Sequence, residues 1–72
     1  MTGAPDWYER RGDLRPGMAF TDHEGDAIRL DRRVPGDGTR WYAEIYCNGH
    51  WLAEDHEIEP GDLRNRRPEL DA

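Results

Sequence analysis

Three side chains in the middle of the chain have the chemistry to bind a metal ion or to act as a nucleophile with its base: Cys47, His50 and His56. Thiolate and imidazole groups are good zinc ligands, but the spacing Cys-x2-His-x5-His supplies one ligand fewer than a structural zinc site uses. Cys47 beside His50 resembles a thiol nucleophile with its base, but the sequence places no third group to orient the imidazole. We therefore predict no metal site, no catalytic residue and no cofactor.

The acidic residues do not indicate catalysis either. A chain of 72 residues with 16 Asp and Glu contains close carboxylate pairs by chance, and no apolar pocket is indicated that would raise the pKa of one of them for proton transfer. The run from Asp22 to Asp26 offers oxygen ligands, but it has neither the length nor the spacing of a calcium loop. The sequence contains no serine and no glycine-rich phosphate loop. It predicts a protein that is not an enzyme.

Length and charge limit the classes of partner. Seventy-two residues suffice for one small domain with a compact core. The formal net charge of −6 opposes sequence-independent binding to nucleic acid, because such binding needs a surplus of cations. No apolar run approaches the length of a membrane span, the first residues lack the pattern of a secretory signal, and a single cysteine forms no intramolecular disulfide. We expect a protein of the bacterial cytoplasm.

Turn signals at short intervals predict an antiparallel meander of several strands. Asn48-Gly49 is the strongest of these signals, because a two-residue type I′ turn needs positive φ at both positions. It predicts a hairpin between a strand from Arg40 to Cys47 and a strand from His50 to Asp55. The other signals are His23-Glu24-Gly25, Pro35-Gly36-Asp37-Gly38 and Pro60-Gly61-Asp62.

The turns also predict which residues lie opposite each other, because a slip of one residue would turn every side chain to the other face. The later hairpin pairs Cys47 with His50, Tyr46 with Trp51 and Ile45 with Leu52. The preceding one pairs Val34 with Thr39, Leu30 with Ala43, Arg29 with Glu44 and Ile28 with Ile45, and a first hairpin pairs Phe20 with Ile28 and Met18 with Leu30. One face then carries the predicted core: Met18, Phe20, Ile28, Leu30, Trp41, Ala43, Ile45, Cys47 and Leu52.

Between Arg15 and about Leu63 this layout resembles the small SH3-like barrels, a group that includes Tudor and KOW modules, and the very short barrel proteins of phages and prophages. The resemblance rests on Arg15-Pro16-Gly17-Met18 opening the first strand, the Gly25-Asp26 turn, the central hairpin and the segment from Trp51 to Leu63. It implies an all-β fold, a small SH3-like antiparallel barrel of four to five strands. We expect an N-terminal arm with a short turn or helix over residues 1–14, the barrel over residues 15–63 and a mobile tail over residues 64–72.

The face opposite the predicted core is the candidate binding site. Aromatic and arginine side chains dominate binding hot spots, and Tyr42, Tyr46 and Trp51 are predicted there with Arg29 and Arg33. We predict a non-enzymatic module that binds a protein partner through this face, which is also a possible homodimer surface. Three other interpretations remain open. Trp7 and Tyr8 of the arm cover these rings, closure of the barrel buries them as a second small core, or, as in Tudor modules, they form a cage for a methylated cation.

Two alternative functions use other residues. Glu54, Asp55, Glu57 and Glu59 form an acidic surface that would suit an inhibitor that mimics nucleic-acid phosphates and binds a basic host protein. Such a run is more commonly a solvated face. The other alternative is weak contact with RNA or DNA through Arg29, Arg32 and Arg33 together with tyrosine stacking.

Overall fold

The computed structural model describes residues 6–36 and 38–72, with the main chain alone for residues 53–55. Five strands account for most of the regular structure: β1 (Ala19–Asp22), β2 (Ala27–Arg33), β3 (Trp41–Cys47), β4 (His50–Ile58) and β5 (Leu63–Arg66). Three short 3-10 helices lie at Arg11–Asp13, Pro60–Asp62 and Pro68–Leu70. No helix among the described residues has the length and apolar character needed to cross a membrane.

All the strands belong to one sheet. Their order is β4-β3-β2-β1-β5, and every neighbouring pair is antiparallel. The all-β prediction is confirmed. Over the described chain the pairing forms an open sheet, with β4 at one edge and β5 at the other.

Turn chemistry explains the hairpins. Asn48 and Gly49 have φ of 51° and 83°, the positive values that a type I′ turn requires. The predicted register around this turn is confirmed, with Cys47 opposite His50 and Ile45 opposite Leu52. The pairs in the two earlier hairpins that lie nearest the core are also confirmed: Leu30 with Ala43, Arg29 with Glu44, Ile28 with Ile45, and Phe20 with Ile28.

The predicted pairing of Val34 with Thr39 is wrong, because the pairing of β2 with β3 is irregular at Asp31. The register shifts between Leu30 and Arg32, so that Arg32 lies opposite Tyr42 and Arg33 opposite Trp41. An extra residue in one strand of an antiparallel pair reverses the alternation of side chains beyond it. Arg33 therefore lies on the side of the sheet opposite to the predicted one.

A second irregularity interrupts β4. Ala43 lies opposite His56 but Glu44 lies opposite Ala53, so β4 contains two residues, 54 and 55, without counterparts in β3. Such a bulge bends the strand and divides its ladder. The regular pairing next to the hairpin turn thus ends at Ala53.

The core lies on one face of the sheet and is closed by residues from both ends of the chain. Cys47 and Leu52, which were predicted to belong to it, do not: Cys47 is exposed and Leu52 is 42% exposed. β2 begins only at Ala27, so the tip of the hairpin extends past the sheet beside it. The buried cluster consists of Trp7, Leu14, Phe20, Ile28, Leu30, Trp41, Ala43, Ile58 and Leu63, with Met18 and Ile45 packed against it.

The prediction of a mobile tail over residues 64–72 is wrong, because these residues are bonded to β1. β5 pairs with β1, and the carboxylate of Asp71 accepts a hydrogen bond from the main-chain N–H of Ala19 at 2.8 Å. Both oxygens of Asp71 also accept bonds from Arg66 at 2.7 Å. The bonds from Arg66, and to a lesser extent the bond from Ala19, lower the pKa of Asp71, and those to Asp71 raise the pKa of Arg66.

The arm also contributes to the fold. The indole of Trp7 is 5% exposed and meets the ring of Phe20 edge to face, with 4.9 Å between centroids. Its Nε1 donates to the main-chain oxygen of Arg64 at 3.2 Å. Trp7 is therefore a core residue that joins the N-terminal arm to β5.

Candidate protein-interaction site

The outer face of the sheet brings Arg29, Glu44 and Trp51 into direct contact. These residues come from β2, β3 and β4, whose register places them side by side. The guanidinium of Arg29 lies 4.3 Å from the centroid of the Trp51 ring, and its Nε donates to the carboxylate of Glu44 at 2.9 Å. The side chains of Arg29 and Glu44 are only 18% and 23% exposed. Arg29 is thus fixed both by an aromatic surface and by an ion pair.

Tyr46 extends this cluster toward the hairpin turn. Its ring meets Trp51 edge to face, with 5.1 Å between centroids, and the residue is 44% exposed. Trp51 itself is half-buried. We call Arg29, Glu44, Tyr46 and Trp51 the outer cluster.

Tyr42 lies on the same strand, two residues before Glu44. The guanidinium of Arg32 lies 4.4 Å from its ring centroid and is itself paired with Asp31 at 2.7 Å. Arg33, which was predicted for this face, instead lies 4.7 Å from the centroid of Trp41, because of the irregularity at Asp31. Arg32 therefore lies beside Tyr42, where Arg33 was expected to be on the outer face. A regular alternation of side chains along β2 does not predict this change.

The two aromatic residues of the arm, Trp7 and Tyr8, lie away from the outer cluster. Trp7 contacts Phe20 in the core. Tyr8 is 50% exposed and lies under the guanidinium of Arg11, 4.4 Å away. The interpretation in which these two rings shield Tyr46 and Trp51 is therefore wrong.

Arginine stacking is general in this protein. All seven aromatic residues lie in the described part of the chain, and six of them have a guanidinium within 5.3 Å of the ring centroid. Energetically significant cation–π pairs occur about once per 70–80 residues in most proteins. The amino-acid composition could have predicted this stacking. All ten Lys and Arg positions are arginine, and a planar guanidinium stacks on aromatic rings better than an ammonium does.

The acidic residues are only partly available. Glu57 is exposed and forms an ion pair with Arg40 at 2.8 Å. Glu59 belongs to the capping box of the following 3-10 helix, in which Asp62 is its partner. The side chains of Glu54 and Asp55 lie outside the described residues.

Among the described residues, the candidate metal ligands fall into three separate places, and His56 lies by itself beyond the bulge, opposite Ala43 in β3. Cys47 and His50 face each other at the hairpin tip, and both are exposed. Ligand atoms of Asp22, Glu24 and Asp26 lie within 4.8 Å of one another. One oxygen of Asp22 accepts the N–H groups of Glu24 and Asp26 at 3.0 and 2.9 Å, which is the bonding of an Asx turn.

No family model, curated protein or solved structure matches the chain.

Proposed function

We propose that this protein is a non-enzymatic interaction module that binds a protein partner through the outer cluster. The observation that supports the proposal best is the stack of Arg29 on Trp51, braced by Glu44 and flanked by the half-exposed Tyr46. Trp, Tyr and Arg are the residue types enriched in binding hot spots. A guanidinium already held by two neighbours loses little conformational entropy when a partner packs on it.

The charge balance of this face favours a protein over a nucleic acid. Arg29 is paired with Glu44, and Arg32 with Asp31, so both cations are already neutralised. Binding to phosphates depends on free cations that release counterions. Mimicry of nucleic acid is also less favoured, because Glu57 is paired with Arg40.

Further parts of the proposal concern fold type and setting. We infer that the sheet is an SH3-like barrel, since β5 lies beside β1 and follows β4 after a single 3-10 helix. A phage or prophage origin and a place in the bacterial cytoplasm belong to the same proposal. The genes flanking this one would test the origin.

Capture from bacterial lysate with matched variants tests the function. Trp51→Ala removes the ring under Arg29, whereas Tyr8→Ala removes an exposed aromatic side chain that stacks on Arg11 and is not part of the outer cluster. We expect the same protein to be recovered with wild type and Tyr8→Ala and to be lost with Trp51→Ala, all three folded by circular dichroism. Recovery of nucleic acid that disappears at moderate salt, or equal capture by all three, would contradict the proposal.

A further inference from the structure

The tip of the β3–β4 hairpin differs in composition from the rest of the protein. Residues 45–53, Ile-Tyr-Cys-Asn-Gly-His-Trp-Leu-Ala, contain no Asp, Glu, Arg or Lys, although these types make up 36% of the chain. Tyr46 and Leu52 are 44% and 42% exposed, and Cys47 and His50 are also exposed. The protein thus presents an uncharged and partly apolar projection on an otherwise highly charged surface. Exposed apolar patches commonly mark interaction sites.

The same tip carries a strand edge with which no strand of the described residues pairs. β4 is the outermost strand of the sheet. A two-residue turn is closed by a hydrogen-bonded pair of residues, which here is Cys47 with His50. Along an antiparallel ladder, hydrogen-bonded pairs alternate with pairs whose main-chain N–H and C=O groups point away from the partner strand. Trp51 and Ala53 belong to the second kind, so their N–H and C=O groups point out from the edge of the sheet.

Two features limit what this edge can pair with. The bulge at residues 54 and 55 ends the regular edge immediately after Ala53. At the opposite edge of the sheet, the main-chain carbonyl of Arg64 in β5 accepts a hydrogen bond from Trp7. Among the described residues, no strand pairs with the short outer edge of β4, whereas Trp7 bonds to one residue of β5 at the other edge. This asymmetry favours a closed pair of molecules over an extended fibre.

We propose that a second copy of this chain docks on the hairpin tip, with the two β4 strands pairing antiparallel over residues 50–53. Two molecules of net charge −6 repel each other, and the repulsion is smallest where neither carries charged side chains. A basic partner would be attracted to the acidic parts of the surface rather than to an uncharged tip. An antiparallel pair is also self-complementary, as a two-fold interface requires.

The dimer is weak. The turn and the bulge limit regular pairing along the edge to residues 50–53. A standard stable interface uses roughly 20–30 residues a side, so we expect a dissociation constant on the order of 10⁻⁵ M. Tyr46 and Trp51 belong both to the tip and to the outer cluster. The dimer forms through the main chain of residues 50–53, however, and does not require the outer cluster to have a protein partner.

Sedimentation equilibrium of the full chain from about 5 µM to 1 mM tests the proposal. Leu52→Lys places a charge in the centre of the tip, and its control Asn65→Lys adds the same charge at an exposed position of β5. We expect dimerisation at least tenfold weaker in Leu52→Lys and unchanged in Asn65→Lys, with both variants folded by circular dichroism. A monomer over the whole range, or an equal effect of the two substitutions, would overturn the proposal.

A third variant separates strand pairing from side-chain packing. Ala53→Pro removes an outward N–H that β3 does not use, and proline is tolerated in edge strands. It should weaken the dimer as Leu52→Lys does. Dimerisation at the wild-type level in this variant would show that the β4 edges do not pair.

Discussion

The indole Nε1 of Trp7 donates a hydrogen bond to the main-chain oxygen of Arg64, 3.2 Å away and 57 positions later in the chain. Trp41 is equally buried, at 2% exposure against 5% for Trp7, but its Nε1 has no hydrogen-bond partner among the described residues. Both tryptophans are buried, but among the described residues only the indole N–H of Trp7 has a hydrogen-bond partner.

That difference predicts unequal effects of the same substitution. Trp7→Phe breaks a hydrogen bond and leaves the oxygen of Arg64 without its donor, whereas Trp41→Phe removes a donor that is already unsatisfied. Both lose similar volume, so we expect Trp7→Phe to lower the free energy of unfolding by about 1–2 kcal/mol more than Trp41→Phe does. Urea unfolding of the two variants measures this. An equal loss of unfolding free energy in the two variants, or a larger loss in Trp41→Phe, would show that the hydrogen bond from Trp7 to Arg64 does not stabilise the protein.

Replacing a stacked arginine with lysine should be costly even though the charge is kept. Arg29→Lys loses the planar contact with Trp51 and the directed Nε bond to Glu44, and we expect it to cost about 1 kcal/mol of stability. Arg15→Lys is the control, because Arg15 is exposed and its guanidinium donates to the nearby main-chain oxygens of Gly12 and Leu14. Thermal unfolding of both variants checks the prediction, which fails if the two melting temperatures agree.

Asp71 should contribute stability that depends on pH. Its pKa is lowered by the hydrogen bonds from Arg66 and Ala19, so the folded state favours the carboxylate more than the unfolded state does. Such a contribution is fully present above the ordinary pKa of aspartate and disappears as the pH falls through the lowered value. Asp71→Asn should therefore be less stable than wild type near about pH 6 and approach it in acid. A difference that stays constant across an acid titration of unfolding would show that the charge of Asp71 is unimportant.

Cys47 should react readily in the folded protein. The predicted core placement would protect the thiol, but the residue is exposed at the hairpin tip. We expect the reaction with a disulfide reagent under native conditions to proceed at a rate within about tenfold of that in denaturant, since reactivity then depends on access to the thiolate. A reaction that is several orders of magnitude slower in the folded protein than in denaturant would show that the thiol of Cys47 is buried.

Sequence reasoning predicted the parts of the fold that local patterns determine. Asn48-Gly49 set one hairpin, and alternation of apolar residues around Ile28, Leu30 and Ala43 identified the core face correctly. The hairpin turn and the core face both depend on residues that are close in sequence or directly opposite each other. The spacing of turn residues and apolar residues therefore predicts them.

The errors arose where distant residues or strand irregularities decide the outcome. Asp31 has no local feature that marks a register shift, so Arg33 was assigned to the wrong side of the sheet. The segment around Arg66 and Asp71 is polar and looked mobile, but its order comes from bonds to Ala19, 52 positions before Asp71. Such contacts leave no periodic pattern in the segment itself.

The arginine stacks have a consequence for how this sequence can change. A gene with high GC content favours arginine codons over lysine codons at every basic position, whatever the structure requires. The stacks divide those positions into two groups: at Arg29, Arg32 or Arg66 the guanidinium covers a ring, whereas at Arg15 it lies exposed. If the preference for GC-rich codons were removed, we expect lysine to replace arginine first at the exposed positions and last at the positions above the rings. A saturation scan of single substitutions would show that division as tolerance to lysine at some basic positions and selection against it at others.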